Sequence, residues 1–288
     1  MKLEDYRRFY AEEIELAGNL DSPALVEAFA RVPREHFLGP GPWQIVFPDF
    51  TSDGTKYKTV SDPRQLYHNV LITIDASRGL NNGHPSSLAG WINALALKTG
   101  DRVFHVGCGV GYYTAIMAEV VGPDGTVIAS EIDSGLATRS KANLANYPNV
   151  KVREGDGAAI NIDSCDAIFI NAGVTHPHVP WLAALAEGGR LVLPITVSRG
   201  DTGSGFGLML KIIHDHGHFT AEVLTEVGIY SCTSVRDARL EPLIAKALAT
   251  KAFSKLKSVR LHQHQETDTC LLHREDVCLS SLPIVSDH

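Results

Sequence analysis

No CxxC pair occurs in this chain. The five cysteines, Cys108, Cys165, Cys232, Cys270 and Cys278, are odd in number and far apart. That excludes a zinc ribbon and a secreted disulfide framework, and it points to reduced thiols in a cytoplasm. Long apolar runs are also missing. Runs such as 115–118 and 168–170 fall far short of the ~18 residues needed to span a bilayer. The opening MKLEDYRRFYAEE lacks the apolar core of a signal peptide, so no membrane partner is expected. Positive charge is in deficit: 26 Lys and Arg against 33 Asp and Glu give a formal net charge of −7, a poor basis for nucleic-acid binding. Repeats and low-complexity segments are absent. With 44% hydrophobic and 20% charged residues over 288 positions, the chain is not disordered and can fill one large domain or two modest ones. A soluble cytoplasmic globular protein is expected.

The pattern along the chain predicts helices at 3–17 and, after the cap Asp21-Ser22-Pro23, at 23–31, as a charged-faced cap on something larger. Residues 33–63 are rich in Pro, Gly, Asp and Ser, including Gly39-Pro40-Gly41-Pro42, and read as one long loop. In it Trp43 and Phe47 either form a lid or pin the loop to the core. Short apolar strands at 103–106, 127–130, 150–153, 167–170 and 190–194 then alternate with helices of about a dozen residues, the signature of an α/β fold with a doubly wound, mainly parallel sheet. An antiparallel hairpin at 206–214 and 219–230 closes that sheet, and a small α+β C-terminal extension follows. The expected division is 1–78 (helices and long loop), 79–233 (the sheet domain) and 234–288 (the extension).

The segment Val103-Phe-His-Val-Gly107-Cys108-Gly109-Val-Gly111-Tyr112 lies between a strand and a helix. Glycines let the backbone turn tightly and approach a ligand, while free N–H groups at the helix start face an anionic group. Glu131 ends the next strand, 24 positions after Gly107, where a carboxylate can accept from ribose hydroxyls. A dinucleotide loop reads G-x-G-x-x-G, but here the third glycine comes one residue early. Gly155-Asp156-Gly157 follows the third strand, where the Asp can accept from an adenine amino group. Together these resemble the S-adenosyl-L-methionine (SAM) site of class I, Rossmann-like methyltransferases.

The resemblance narrows on Val32-Pro-Arg-Glu-His-Phe37, Leu66-Tyr-His-Asn-Val70, His84-Pro85, Val106–Tyr112, Gly155-Asp-Gly157, Asp166-Ala-Ile168 and Gly188-Gly-Arg-Leu-Val-Leu-Pro194. In that order they look like the protein-L-isoaspartate O-methyltransferase family, over about 32–230. The resemblance implies SAM as cofactor. It places Gly107, Cys108, Gly109, Gly111, Tyr112, Glu131, Ile132, Asp156, Gly157 and Asn171 around it, with Asn82, Gly83 and His84 on the acceptor side. No covalent intermediate is needed, since the sulfonium methyl is already activated and the protein aligns the reactants and excludes water.

Two positions depart from the family. It usually reads Thr-Ile-Ser-Gln-Pro before the first domain helix, with the serine hydroxyl at the accepting carboxylate; here Asn81-Asn82-Gly83-His84-Pro85 puts Gly83 there. Loss of a group worth about 2 kcal/mol in the transition state costs roughly tenfold to a hundredfold, and Gly83→Ser is expected to recover some isoaspartyl methylation. His105 replaces the acid that usually helps to hold the cationic methionyl end. A neutral imidazole could still accept a hydrogen bond there, or it tucks into the sheet end. His84 could bind an acceptor carboxylate or take a proton from a hydroxyl; the alternative is a structural histidine before proline. Asn81 and Asn82 could bind substrate or simply turn the chain.

The remaining histidines are expected to hold no metal. His214, His216 and His218 alternate across a hairpin turn, and His262 and His264 share a strand face, but no Cys or carboxylate clearly completes a set. His176 and His178 follow the fourth strand after Asn171, where α/β sites place substrate groups; they line a site or belong to an ordinary loop. The extension could cap the acceptor site, recognise a peptide or make a homodimer. The expected reaction is methyl transfer to a carboxylate of a peptide, a protein or a specialised small acid, other than ordinary isoaspartate repair. The competing readings are a non-catalytic module that binds SAM or its product, and an NAD-dependent oxidoreductase.

Overall fold

The computed structural model describes residues 2–48, 55–200 and 203–284. In chain order its elements are α1 (Leu3–Gly18), α2 (Pro23–Arg31), α3 (Arg34–Leu38), β1 (Trp43–Pro48), β2 (Thr55–Val60), β3 (Leu71–Asp75), β4 (Leu80–Asn81) and α4 (Pro85–Ala94). There follow β5 (Arg102–Val106), α5 (Tyr112–Val121), β6 (Thr126–Glu131), α6 (Ser134–Asn143), β7 (Val150–Glu154), β8 (Cys165–Ile170) and α7 (Val179–Ala183). Last come β9 (Leu185–Ser198), β10 (Ser204–Asp215), β11 (His218–Tyr230), α8 (Glu241–Ala249), β12 (Ser258–Arg260), β13 (Cys270–His273) and β14 (Cys278–Ser280). The α/β class with a mixed sheet is found. No helix of the described residues is long and apolar enough to cross a membrane.

Contacts divide the chain into two compact units. The first comprises 1–100, 108–127 and 133–154. Ser22 caps α2 by accepting from Leu25 N, with Pro23 at the first turn, where a missing N–H costs nothing. The expected long loop at 33–63 is a correction: it holds α3 and the antiparallel pair β1–β2, while 49–54 lie outside the described residues. β1 also pairs with β3, and Leu38, Ile45, Val60, Leu66 and Ile72 close a small core beneath. Trp43 packs against that core and donates Nε1–H to Gly39 O at 3.0 Å, so it pins the segment rather than lidding a site.

The second unit comprises 101–107, 128–132 and 155–288. Within it the sheet order is β13-β14-β12-β11-β10-β9-β8-β5-β6. β5 with β8 and β8 with β9 are parallel; β9 through β12, then β14 and β13, are antiparallel. The extension does not stand apart from this sheet. Ile244, Phe253, Val259, Leu272 and Leu279 share one buried cluster with Phe104, Ile168 and Leu191. Burial of each such side chain contributes about 1.5–3 kcal/mol. Arg236, one of the first residues of the extension, donates to Gly173 O and Thr196 O and pairs with Glu241 at 2.5 Å.

Candidate functional site

The second unit supplies the strand ends. β5 stops at Gly107, whose N–H donates to Ser130 O at 2.9 Å. Its φ is +76°, and a β-carbon there would lie 3.1 Å from Asn171 O; both reasons demand glycine. Asn171, just past β8, donates its side-chain amide to Gly107 O at 3.4 Å and its N–H to Val106 O at 2.8 Å. Glu131 is buried at the end of β6, and the adjoining Ile132 is 52% exposed, an uncovered apolar side chain beside an acid. Asp156 Oδ1 accepts from Ala158 N and from the Ser234 hydroxyl, both at 2.9 Å. Gly157 is tight for a different reason: a β-carbon would stand 2.6 Å from Ser130 Oγ and 2.7 Å from Val106 Cγ1.

His105 lies fully buried on β5, stacked on Phe169 with ring centroids 5.3 Å apart. Burial lowers its pKa from 6.5 to about 3, so the ring is neutral and brings no charge to a cation. His176 bonds Thr175 Oγ1 at 3.0 Å, and His178 donates Nε2–H to Ala158 O at 3.2 Å. Burial pushes both pKa values down, His176 to about 4. Internal bonds thus occupy the two histidines after β8, as in an ordinary packed loop.

In the first unit lie residues 108–112 and the 81–84 segment. Gly109 has φ +58° and no atom within 4 Å of the place a β-carbon would take, whereas a β-carbon on Gly111 (φ +94°) would meet Leu144 at 2.8 Å and Ser140 Oγ at 2.9 Å. Gly111 caps α5. Cys108 is buried with Sγ 3.5 Å from Ser140 Oγ. Tyr112 turns its ring into the core, edge-on to Phe37 and Phe29 at 5.6 and 6.3 Å. Only its backbone belongs to the loop.

Asn81 Oδ1 accepts from Gly83 N at 2.9 Å, closing the turn. Asn82 is buried. Gly83 has φ +75°, and a β-carbon would lie 2.9 Å from Leu88 Cδ2; its carbonyl accepts from Tyr113 OH at 3.4 Å. His84 caps α4, with Nδ1 3.3 Å from Ser86 Oγ. Ser86 is in turn gripped by Asn69, Nδ2–H to Oγ at 2.9 Å and Ser86 N–H to Oδ1 at 3.0 Å. Burial, then the charge of Arg34, lowers the His84 pKa. Arg34 itself was legible only as part of a motif. It is completely buried and donates to the carbonyls of Leu66, His68 and Val70 at 2.7, 3.1 and 2.8 Å.

A glycine loop leaving a parallel strand, an acid ending the next strand and a Gly-Asp-Gly after the third define a class I SAM-dependent methyltransferase. The family model for protein-L-isoaspartate(D-aspartate) O-methyltransferase matches residues 53–205, just over half of the chain. This chain belongs to that family. It is 29% identical over 184 residues to protein-L-isoaspartate O-methyltransferase 1 of Geotalea uraniireducens (62% of this chain, 73% of the relative). It is 32% identical over 192 residues to the enzyme of that name from Rhodopseudomonas palustris (65% and 68%). A solved structure described as a putative protein-L-isoaspartate O-methyltransferase from Plasmodium falciparum, in complex with S-adenosyl-L-homocysteine, shares the fold with a TM-score of 0.58. It is 19% identical and covers 79% of this chain and 98% of its own. The protein is an enzyme, a methyltransferase whose cofactor is SAM, and family membership displaces the hydride-transfer reading.

Proposed function

We propose that this enzyme methylates a side-chain carboxylate of a peptide or protein, and that its acceptor differs from the isoaspartyl group of ordinary repair. The observation that carries the second half is Gly83. The family serine is not merely trimmed there: the backbone has φ +75°, and Leu88 fills the space a side chain would need. An acceptor that relied on that hydroxyl has nothing to meet.

The residues fit the cofactor. Gly109 leaves an open cradle where a methyl group would intrude. Glu131 would accept from the ribose hydroxyls, the loop amides from Gly107 to Gly111 would face the methionyl carboxylate, and Ile132 would cover the adenine. The Asp156 bonds to Ala158 and Ser234 both use Oδ1, which leaves Oδ2 for the adenine amino group. SAM brings a methyl group already activated on a sulfonium. The chain therefore has to bind, align and exclude water. His84, braced by Ser86, would donate one hydrogen bond to the acceptor carboxylate.

The test uses methyl-labelled SAM with an isoaspartyl peptide beside its aspartyl isomer, counting base-labile methyl groups and measuring SAM binding in the same preparation. Cofactor binding with no isoaspartyl-specific counts is expected. Specific counts at a rate typical of repair would show that Gly83 is tolerated and would sink the altered-acceptor reading.

A further inference from the structure

Four side chains of the extension converge although nothing in their sequence spacing announces it. His264, Cys270, His273 and Cys278 each present one ligand atom, and all four atoms lie within 4.8 Å of one another. From this juxtaposition we infer that the extension holds a structural zinc ion, bound by two thiolates and two imidazoles.

The geometry supports it at each ligand. Zn–S of ~2.3 Å and Zn–N of ~2.05 Å in a tetrahedron separate S from N by about 3.6 Å and S from S by about 3.8 Å. Cys270 Sγ and His264 Nε2 stand 3.5 Å apart. His264 Nδ1 lies 2.9 Å from His262 O. A carbonyl only accepts, so the proton sits on Nδ1 and the Nε2 lone pair faces the cluster, the outer-shell bond that metal-binding histidines commonly carry. His273 brings a ring whose Nδ1 is buried without a hydrogen-bond partner, a polar group that is costly to leave unsatisfied. Its neighbour in register across β13 and β14 is Cys278, almost completely buried. The set has no carboxylate, which disfavours magnesium and calcium and suits zinc.

Zinc binding would release both thiol protons to solvent, and two thiolates on one divalent ion leave the site neutral. With all four positions taken by protein the ion is structural rather than catalytic. It would fasten the segment after β12 to the β13–β14 hairpin. The inference departs from the expectation that no cysteine completes a set with these histidines: His262 supports His264 through its carbonyl, and the partners of His264 come from the next two strands.

The full-length protein, purified without chelator, should carry one zinc per chain by elemental analysis. Cys270→Ser and Cys278→Ser should each lose it, and Cys232→Ser should keep it. Should those variants fold poorly, the wild type alone decides. Replacing its zinc by cobalt should produce the intense visible bands of tetrahedral cobalt together with thiolate charge transfer, and SAM binding measured alongside separates loss of metal from loss of fold. Wild-type protein that neither retains zinc nor shows thiolate–cobalt bands on titration would overturn the inference. So would a Cys270–Cys278 disulfide in freshly purified protein, or zinc retained when both cysteines are serine.

Discussion

Gly83 and Leu88 are placed so that any β-carbon on residue 83 would come within 2.9 Å of Leu88 Cδ2, at a backbone φ of +75°. This geometry argues against the rescue by Gly83→Ser expected from the sequence. Gly83→Ser should destabilise the protein by about 2 kcal/mol, the sum of left-handed strain and crowding, and should yield no isoaspartyl methylation. Urea unfolding checks the first part. The Gly83→Ser/Leu88→Ala double variant, which opens the space, would show whether crowding or the backbone bars the hydroxyl.

Gly109 and Gly157 separate fold from cofactor. Gly109→Ala meets open space and should cost only about 1 kcal/mol of stability, while SAM affinity falls at least tenfold. Gly157→Ala drives a methyl into Ser130 and Val106 and should lower both. Calorimetric SAM binding beside thermal unfolding distinguishes them, and unchanged affinity in Gly109→Ala would remove the loop from the site.

Glu131→Ala should weaken SAM binding by about 1–3 kcal/mol through loss of charge-assisted hydrogen bonds. Isothermal titration reads this directly.

Arg34 is buried and donates to three carbonyls. Arg34→Met removes the charge but orphans those acceptors, and should cost about 3 kcal/mol or more, visible as a drop in the denaturant midpoint.

His105 gives stability a pH dependence. Its pKa falls from 6.5 to about 3 on folding, so between those values the unfolded chain binds the proton and the native chain does not. Stability is fully present above pH 6.5 and declines as pH falls, by about 1.4 kcal/mol per pH unit. His105→Phe should flatten this part of a urea-midpoint series taken at successive pH values. An unchanged slope would assign the acid sensitivity elsewhere, with His176 the next candidate.

The alternation of strand and helix from β5 to β9 and the glycine loop were legible because both follow from local rules: short apolar runs, tight turns and an acid at a strand end. The segment from Arg34 to Val60 was not. Its Pro and Gly content reads as loop, and among the described strand residues there only Ile45 and Val60 are buried, too few for an alternating pattern to show. The His264–Cys278 cluster was illegible for another reason. It depends on β14, a strand of three residues whose register alone sets Cys278 against His273. Arg34 carried no signal of burial beyond its place in a motif, since a lone arginine in a polar segment ordinarily reads as surface.

The pairing of Phe219 and Thr220 with Val259 and Ser258 gives the extension a protective role. A chain ended at residue 233 would leave those backbone groups of β11 without a neighbour and strip the apolar cover from Phe219 and Ala221. A bare, apolar strand edge recruits the next strand it meets, commonly that of another molecule. Shortening this enzyme to residue 233 would thus trade a finished sheet for a self-associating one.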